Sequence, residues 1–336
     1  MTDTVLSIVI GTRNRKELLQ QCLKSLVGNI QVKHEIIVID AGSTDGTIAY
    51  LESRSGIKLV KDGQLLGQAR SLNQVFKTLN STYICWLSDD NEALNGMLDV
   101  GVSILEENPD IGMVALKVRD VVGQFANAPY IGGIADRTDI LNCNQGIIRS
   151  DLLRQVGYFD ETLRDYGIDV DLTTKVLLAG YKVVYTKEVA IHHYRDRDCA
   201  PGAFNAEERL QRQEKGKALY EQKYERVFQL KLRDRIRRKF GRIIYNWIQL
   251  ASGNKKWKFS WANFLTVQIK LEFNKPYIFG YHIRDWKNLC YCRYISWLDF
   301  WHNRQKPFYL VQQIRYLPQK NDYLIESVPP ASQSAN

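Results

Sequence analysis

Four short apolar runs in the first ninety residues constrain this chain more than any other feature. Leu6-Ser-Ile-Val-Ile10 stops at Gly11, and Glu35-Ile-Ile-Val-Ile-Asp40 stops in a carboxylate. Ile57 to Lys61 is a third run, and Tyr83-Ile-Cys-Trp-Leu87 breaks off at Ser88-Asp-Asp-Asn91. Apolar runs of this length, bounded so sharply, read as buried strands. Between them the spacing turns helical. Leu18, Leu19, Cys22, Leu23 and Leu26 recur on one face, Thr47 to Ser53 reads as a short helix, and Gly67 to Leu79 turns Ala69, Leu72, Val75, Phe76 and Leu79 inward. Asn14 with Glu17 three residues later fits a capping-box variant ahead of the first helix. Strands alternating with helices predict an α/β fold, a mostly parallel sheet flanked by helices. Polar residues then fall at the ends of strands one, two and four, along one edge of the sheet.

The pattern continues less regularly. Met97 to Glu107 reads as helix, Ile111 to Val118 as one strand, Phe125 to Thr138 as loop, Gln145 to Arg149 as strand and Ser150 to Val156 as helix. A helix opens at Asp169-Val-Asp-Leu172 and stops at Gly180. Tyr181 to Tyr185 and Val189 to His192 are short strands, and Ala206 to Phe228 is a polar helical stretch. The expected division is an α/β domain over residues 1–205 and a helical, basic, aromatic-rich extension over 206–336. Charge supports it: residues 231–336 hold 19 Lys and Arg against 6 Asp and Glu, whereas residues 1–230 hold 27 against 31. In Lys231 to Arg242 seven cations flank an apolar stripe of Leu232, Ile236, Phe240, Ile243, Ile244 and Trp247, and six of the seven Trp follow residue 240. An amphipathic basic stripe with later aromatic residues suits an anionic membrane surface. The alternative is a nucleic-acid-binding protein that stacks single strands on the tail, which leaves the carboxylates at the strand tips unexplained.

No run approaches the 18 apolar residues of a spanning helix, and the N-terminus carries no secretory pattern. Six scattered cysteines read as reduced thiols. These features point to a cytoplasmic protein, peripheral on the inner face of the cytoplasmic membrane.

Asp89 and Asp90 carry the chemistry. Two adjacent carboxylates at a strand tip repel unless a cation or donors compensate, and in open α/β sheets the strand tips are where ligands bind. The richest reading is a divalent ion, Mg2+ or Mn2+, held by Asp90 with a nucleotide sugar's diphosphate on its other side. The plain one is an Asp-rich turn.

Five motifs in order resemble the family-2 glycosyltransferases, with the GT-A nucleotide-sugar fold, over roughly residues 5–195. They are Ser7-Ile-Val-Ile-Gly-Thr-Arg-Asn-Arg15, Glu35 to Thr47 with its Asp-rich turn, Gly67-Gln-Ala-Arg-Ser-Leu-Asn73, Trp86-Leu-Ser-Asp-Asp90, and the half containing Gly157-Tyr-Phe-Asp-Glu161, Asp169-Val-Asp-Leu172 and Ala179-Gly-Tyr181. The resemblance implies inverting, metal-dependent transfer of a single sugar from a nucleoside-diphosphate sugar to a hydroxyl on a glycan or lipid-linked acceptor, with no nucleic acid partner. It implies that Thr12, Arg13, Asn14, Arg15, Asp40, Gly67, Arg70, Asn73 and Asp89 bind the donor. Asp90, with His192 or His193, holds the metal, and Asp169 is the base. Asp171 is assigned to structure. Ala41 replaces a second Asp common in relatives, and Ile168-Asp169 replaces an acidic pair. The Gln-x-x-Arg-Trp motif of processive synthases is missing at its usual distance, and Gln312-Gln-Ile-Arg-Tyr316 lies too late to replace it.

Overall fold

The apolar runs form the expected strands, β1 (Leu6–Thr12), β2 (His34–Asp40), β3 (Ile57–Lys61) and β4 (Tyr83–Ser88), paired in parallel in the order β3-β2-β1-β4. The computed structural model describes residues 4–64, 66–121, 140, 143–194, 206–225, 227, 307–317 and 322–328. Side chains alternate across each strand; in β1, β2 and β4 both faces are apolar and covered, whereas β3, at the sheet edge, holds no buried residue and exposes Lys58 and Lys61. Ile8, Ile10, Val38 and Cys85 pack under α1 (Lys16–Leu26), with α2 (Thr47–Glu52) contributing Leu51. Val9, Ile37, Ile39, Ile84 and Trp86 pack under α3 (Gln68–Phe76) on the opposite face.

After β4 the chain turns into β5 (Asn91–Ala93), α4 (Met97–Glu107), β6 (Ile111–Ala115) and β7 (Val118–Asp120). The single strand expected over Ile111 to Val118 is therefore two strands in different sheets. The break falls at Leu116 and Lys117, where the Lys117 carbonyl accepts from the amides of Ala190 and Ile191. Next come β8 (Gly146–Arg149), α5 (Ser150–Gln155), α6 (Ile168–Leu178), β9 (Lys182–Thr186) and β10 (Ile191–His193). β8 runs antiparallel between β4 and β6, so six of the seven strands from β3 to β9 point the same way. Gly146 permits this insertion, because a Cβ there would lie 2.9 Å from the Trp86 ring. Arg149 at the end of β8 then donates to the carbonyls of Leu105, Asn108 and Ile111, closing the C-terminus of α4. A second, three-stranded sheet has the order β5-β10-β7.

The capping box does not form. Arg15 is the N-cap of α1 and Asn14 sits at φ 52°, with its side-chain oxygen accepting from the Thr44 amide. The amide of Lys16 donates instead to Asp45. The loop after β1 is thereby tied to the loop after β2, a pairing that no local spacing encodes.

Beyond residue 205 the structure holds more than helix. α7 (Ala206–Tyr224) is followed by β11 (Phe308–Leu317) and β12 (Asp322–Val328), an antiparallel hairpin that extends the large sheet from the edge of β9. Gln312 to Tyr316 lie within β11. The basic and aromatic stretch between α7 and β11, including Lys231 to Arg242, lies outside the described residues, as do Cys199, Cys290 and Cys292. The other three cysteines, Cys22, Cys85 and Cys143, are free and buried.

α7 docks on α6 through polar contacts as well as Tyr220 and Tyr224, which belong to the core. Asp171 is fully buried and accepts from Lys223 at 2.7 Å and from the Tyr224 hydroxyl at 2.8 Å, while Lys175 lies 3.1 Å from its other oxygen. The structural reading of Asp171 holds in this arrangement. Gly216 brings the helices together, since a Cβ there would lie 2.2 Å from the Tyr166 carbonyl oxygen. Asp171→Ala would leave two cations and a buried hydroxyl without their shared acceptor, and we expect a loss of about 3 kcal/mol in urea unfolding. A loss of only about 1 kcal/mol, the value of a solvent-screened pair, would show that α7 is held by its apolar contacts alone.

Candidate active site at the strand tips

Asn91 sets the geometry at the end of β4. Its side-chain oxygen accepts from the Ser88 amide at 2.9 Å, so Asp89 and Asp90 occupy a tight reversal between β4 and β5. Both are buried. Asp89 accepts from the Thr12 hydroxyl at 2.9 Å and faces Arg15 Nη1 at 3.1 Å. Asp90 Oδ2 lies 3.3 Å from Arg15 Nη1 and 3.3 Å from His193 Nε2. Burial and the neighbouring Asp90 charge push Asp89 up to about 6, against the opposing pull of Arg15. Arg15 thus provides the positive charge that two adjacent buried carboxylates require.

β10 separates the two histidines. Successive side chains on a strand point to opposite faces, and His193 lies beside Asp90 with its Nδ1 3.0 Å from Asp120. His192 turns the other way, 3.3 Å from Glu92, which also accepts from the Tyr194 hydroxyl at 2.8 Å. Sequence reasoning left both as metal candidates; only His193 reaches Asp90, and His192 is removed from that role by its face. Asp120 went unnoticed because the expected strand stopped at Val118, where the three-residue β7 begins.

At the tip of β2, Asp40 is buried, and its Oδ1 accepts from the amides of Gly42 at 2.9 Å and Ser43 at 2.8 Å. Its Oδ2 is buried with no hydrogen bond among the described residues. Asp62, just after β3, has a buried Oδ2 in the same condition, as does Arg13 at Nε. Asp62 was legible in principle as a carboxylate ending an apolar run.

The α3 residues divide. Arg70 is exposed on the helix. Gly67 adopts φ 98°, and a Cβ there would lie 2.5 Å from Arg164 Cγ. The first helix amides, of Gln68 and Ala69, donate to the Asp165 carboxylate and the Arg164 carbonyl. Asn73 is buried, its amide nitrogen donating to Phe159 O and Glu161 while its oxygen accepts from the Phe159 amide. Sequence reasoning assigned Gly67 and Asn73 to the donor. In the structure both serve the joint between α3 and residues 159–165, because the asparagine's hydrogen-bonding groups are already engaged there.

Asp169 lies in the first turn of α6, behind Gly167 at φ 87°. Its Oδ1 is buried without a hydrogen bond among the described residues, and burial pushes the carboxyl up to about 8. Asp171, two residues on, is committed to α7 instead.

Among the described residues no cluster of three or more His, Cys, Asp or Glu is arranged to cage a metal, and no helix is long and apolar enough to cross a membrane. A hard cation here would draw on Asp90 and His193 and complete its shell from ligand oxygens, as Mg2+ does at phosphate sites. The pairing of a carboxylate oxygen with an imidazole nitrogen fits such an ion, which would displace Arg15 Nη1 from Asp90 Oδ2.

A mostly parallel sheet with acidic strand tips and a small second sheet beside them is the GT-A class of fold. Two solved structures share it. A mannosyltransferase from Pyrobaculum calidifontis, in complex with GDP-Man and Mn2+, aligns with a TM-score of 0.53 at 18% identity, over 91% of this chain and 89% of its own. Residues 1–349 of S. aureus TarS, in complex with UDP-GlcNAc, align with a TM-score of 0.50 at 13% identity, over 97% and 98%. At such identities the likeness concerns the fold alone. Sequence adds a likeness to a family: residues 7–147 match the model for glycosyl transferase family 2. The glycosyltransferase AglE of Haloferax volcanii is 24% identical over 207 residues, 56% of this chain and 67% of its own length. A poly-β-1,6-N-acetyl-D-glucosamine synthase of Staphylococcus epidermidis is 24% identical over 197 residues, 54% of this chain and 47% of its own. The chain spans between 24% and 67% of the lengths of the curated relatives it matches.

Proposed function

We propose that the protein is an inverting, divalent-metal-dependent glycosyltransferase. It moves one sugar from a nucleoside-diphosphate sugar to a hydroxyl of a glycan or lipid-linked acceptor. The observation that carries this reading is the buried pair Asp89–Asp90 at the tip of β4, counter-charged by Arg15 and flanked by His193. Mg2+ or Mn2+ held by Asp90 and His193 would stabilise the diphosphate as it leaves. Arg13 and Arg15 contribute positive charge toward base or phosphate, and Asp40 Oδ2 accepts from the base or the ribose. Thr12 and Asn14 shape the loop beneath the donor, and Arg70 approaches it from α3. Asp169 takes the proton of the acceptor hydroxyl. The freed oxygen attacks the anomeric carbon in line while the bond to the diphosphate breaks, so the configuration inverts. The complexes of the two structural neighbours, with GDP-Man and Mn2+ and with UDP-GlcNAc, support the class of donor and cation. The lack of Gln-x-x-Arg-Trp at its usual distance supports addition of single sugars.

Asp90→Asn should abolish transfer while the circular dichroism spectrum stays that of the parent. Full activity in this variant, or in the parent with excess EDTA, would remove the metal from the scheme. Asp169→Asn should bind donor normally and lose turnover by roughly 10²–10⁴-fold. A base works only when deprotonated, so kcat/KM of the parent should climb with pH and level off above about 8. A profile already level at the ordinary carboxylate range, about pH 4, would move the base elsewhere.

Residues 206–336 are proposed as an extension whose basic stretch holds the enzyme on an anionic leaflet, where each cation adds about 1 kcal/mol. The sequence pattern of Lys231 to Trp247 carries this part. Co-sedimentation with anionic liposomes should fall with added salt, and Gln at Arg235, Arg237, Arg238 and Lys239 should weaken it with donor hydrolysis intact. Indifference to liposomes at low salt would make the stretch structural.

A further inference from the structure

His193 stands between two buried carboxylates. Its Nε2 lies 3.3 Å from Asp90 Oδ2 and its Nδ1 lies 3.0 Å from Asp120 Oδ1. Asp120 is held rigidly where it makes this contact. β7 and β10 pair in parallel with His193 opposite Asp120, so register places the ring and the carboxylate on the same face. The Val121 amide donates to the His193 carbonyl at 3.0 Å, closing the ladder just beyond the pair.

An ionised carboxylate only accepts hydrogen bonds. A neutral ring can donate to only one of its two carboxylates, and the shorter contact, 3.0 Å to Asp120 against 3.3 Å to Asp90, assigns the proton to Nδ1 and leaves the lone pair on Nε2. The nitrogen with the lone pair is the one that faces Asp90. The neighbouring His192 gives a built-in contrast. It too meets a carboxylate, Glu92, but at 3.3 Å, and those side chains are 31% and 28% exposed against 15% and 2% for His193 and Asp120. Water competes for the outer pair and can scarcely reach the inner one.

We propose that Asp120 is a positioning residue for the metal site. It fixes the tautomer and ring plane of His193 so that Nε2 presents its lone pair to a divalent cation held at Asp90. This rests on the reading above that Asp90 and His193 bind the donor's cation. A carboxylate behind a ligating imidazole raises its basicity and saves the ring from being ordered by the metal itself. Losing such a partner costs about 10–100-fold in metal affinity.

The test is the affinity of the full-length protein for Mn2+, read by the electron paramagnetic resonance of free Mn2+ in the presence of UDP and, in parallel, of GDP. Four proteins are compared: the parent, His193→Ala, Asp120→Asn and Asp120→Ala. Asp120→Asn keeps the shape of the side chain, but its amide can donate to Nδ1 and so move the ring proton to Nε2. We expect His193→Ala and both Asp120 variants to weaken Mn2+ by at least tenfold, with nucleotide affinity in the absence of metal unchanged. Pulsed measurements on bound Mn2+ should show nitrogen coupling in the parent, none in His193→Ala and a weaker coupling in Asp120→Asn. A merely structural Asp120 would lower the melting temperature and leave the Mn2+ affinity of the folded fraction where it was. If Asp120→Ala fails to fold, Asp120→Asn decides alone. His193→Ala weakened with Asp120→Asn unchanged overturns the proposal and spares the metal reading. An unchanged Mn2+ affinity in His193→Ala overturns both.

Discussion

Two like charges buried side by side at the end of β4 are the constraint on which the rest of the site depends. Neither Asp89 nor Asp90 has room to escape to water, and burial together with the Asp90 charge raises the cost of ionising Asp89. The groups that relieve this repulsion arrive from separate elements. Thr12 comes from the end of β1, Arg15 from the cap of α1, Asn91 from β5 and His193 from β10. Elements far apart in sequence must therefore be placed correctly before the tip of β4 is electrostatically tolerable. The small sheet β5-β10-β7 exists within this requirement, because it carries the imidazole back over a turn that β4 itself leaves bare.

Buried polar atoms in folded proteins nearly always find partners. Here Asp40 Oδ2, Asp62 Oδ2 and Asp169 Oδ1 are buried acceptors without one among the described residues, in residues that end, follow or open elements of the same α/β body. Such atoms are costly in isolation, and the cost is offset when a ligand rich in hydroxyl and N–H groups supplies the missing donors. A nucleoside with a sugar attached, meeting an acceptor hydroxyl, is a ligand of that kind. This view connects the acidic strand tips with Asp169, which burial makes a stronger base than an exposed carboxylate.

The core of the fold was legible because β1, β2 and β4 are apolar on both faces and end abruptly. Those breaks also exposed Asp40, Asp89 and Asp90. What escaped reading has a common physical origin, which is pairing between distant segments. β8 enters antiparallel between β4 and β6, and nothing in Gly146-Ile-Ile-Arg149 declares its neighbours. β5, β7 and β10 are three residues each, too short for any periodicity to register. Asp120 was hidden by that brevity, and the choice between His192 and His193 depended on register that spacing alone does not supply. Asn14 and Asn73 were misjudged differently. Each has side-chain groups able to serve a local cap or a ligand, but each is engaged by a backbone about 30 or 86 positions away. The hairpin β11–β12 escaped because its sequence alternation was outweighed by the basic, aromatic character of what precedes it.

The alternation of β10 makes the site sensitive to loop length. Lys117 fixes where the strand begins: its carbonyl accepts from Ala190 and Ile191, and its ammonium donates to the Lys187 carbonyl at 2.6 Å. Three residues separate Lys187 from Ile191, with the connection pinned at both ends. Losing or gaining one residue there would turn β10 over. After an insertion His192 would stand beside Asp90, and after a deletion the position beside Asp90 would pass to Tyr194. Substitutions in this loop leave the strand's orientation alone, whereas an insertion or deletion of a single residue replaces His193 at the buried carboxylates with its neighbour in the chain. The length of this segment is thereby tied to a charge about a hundred residues upstream at Asp90.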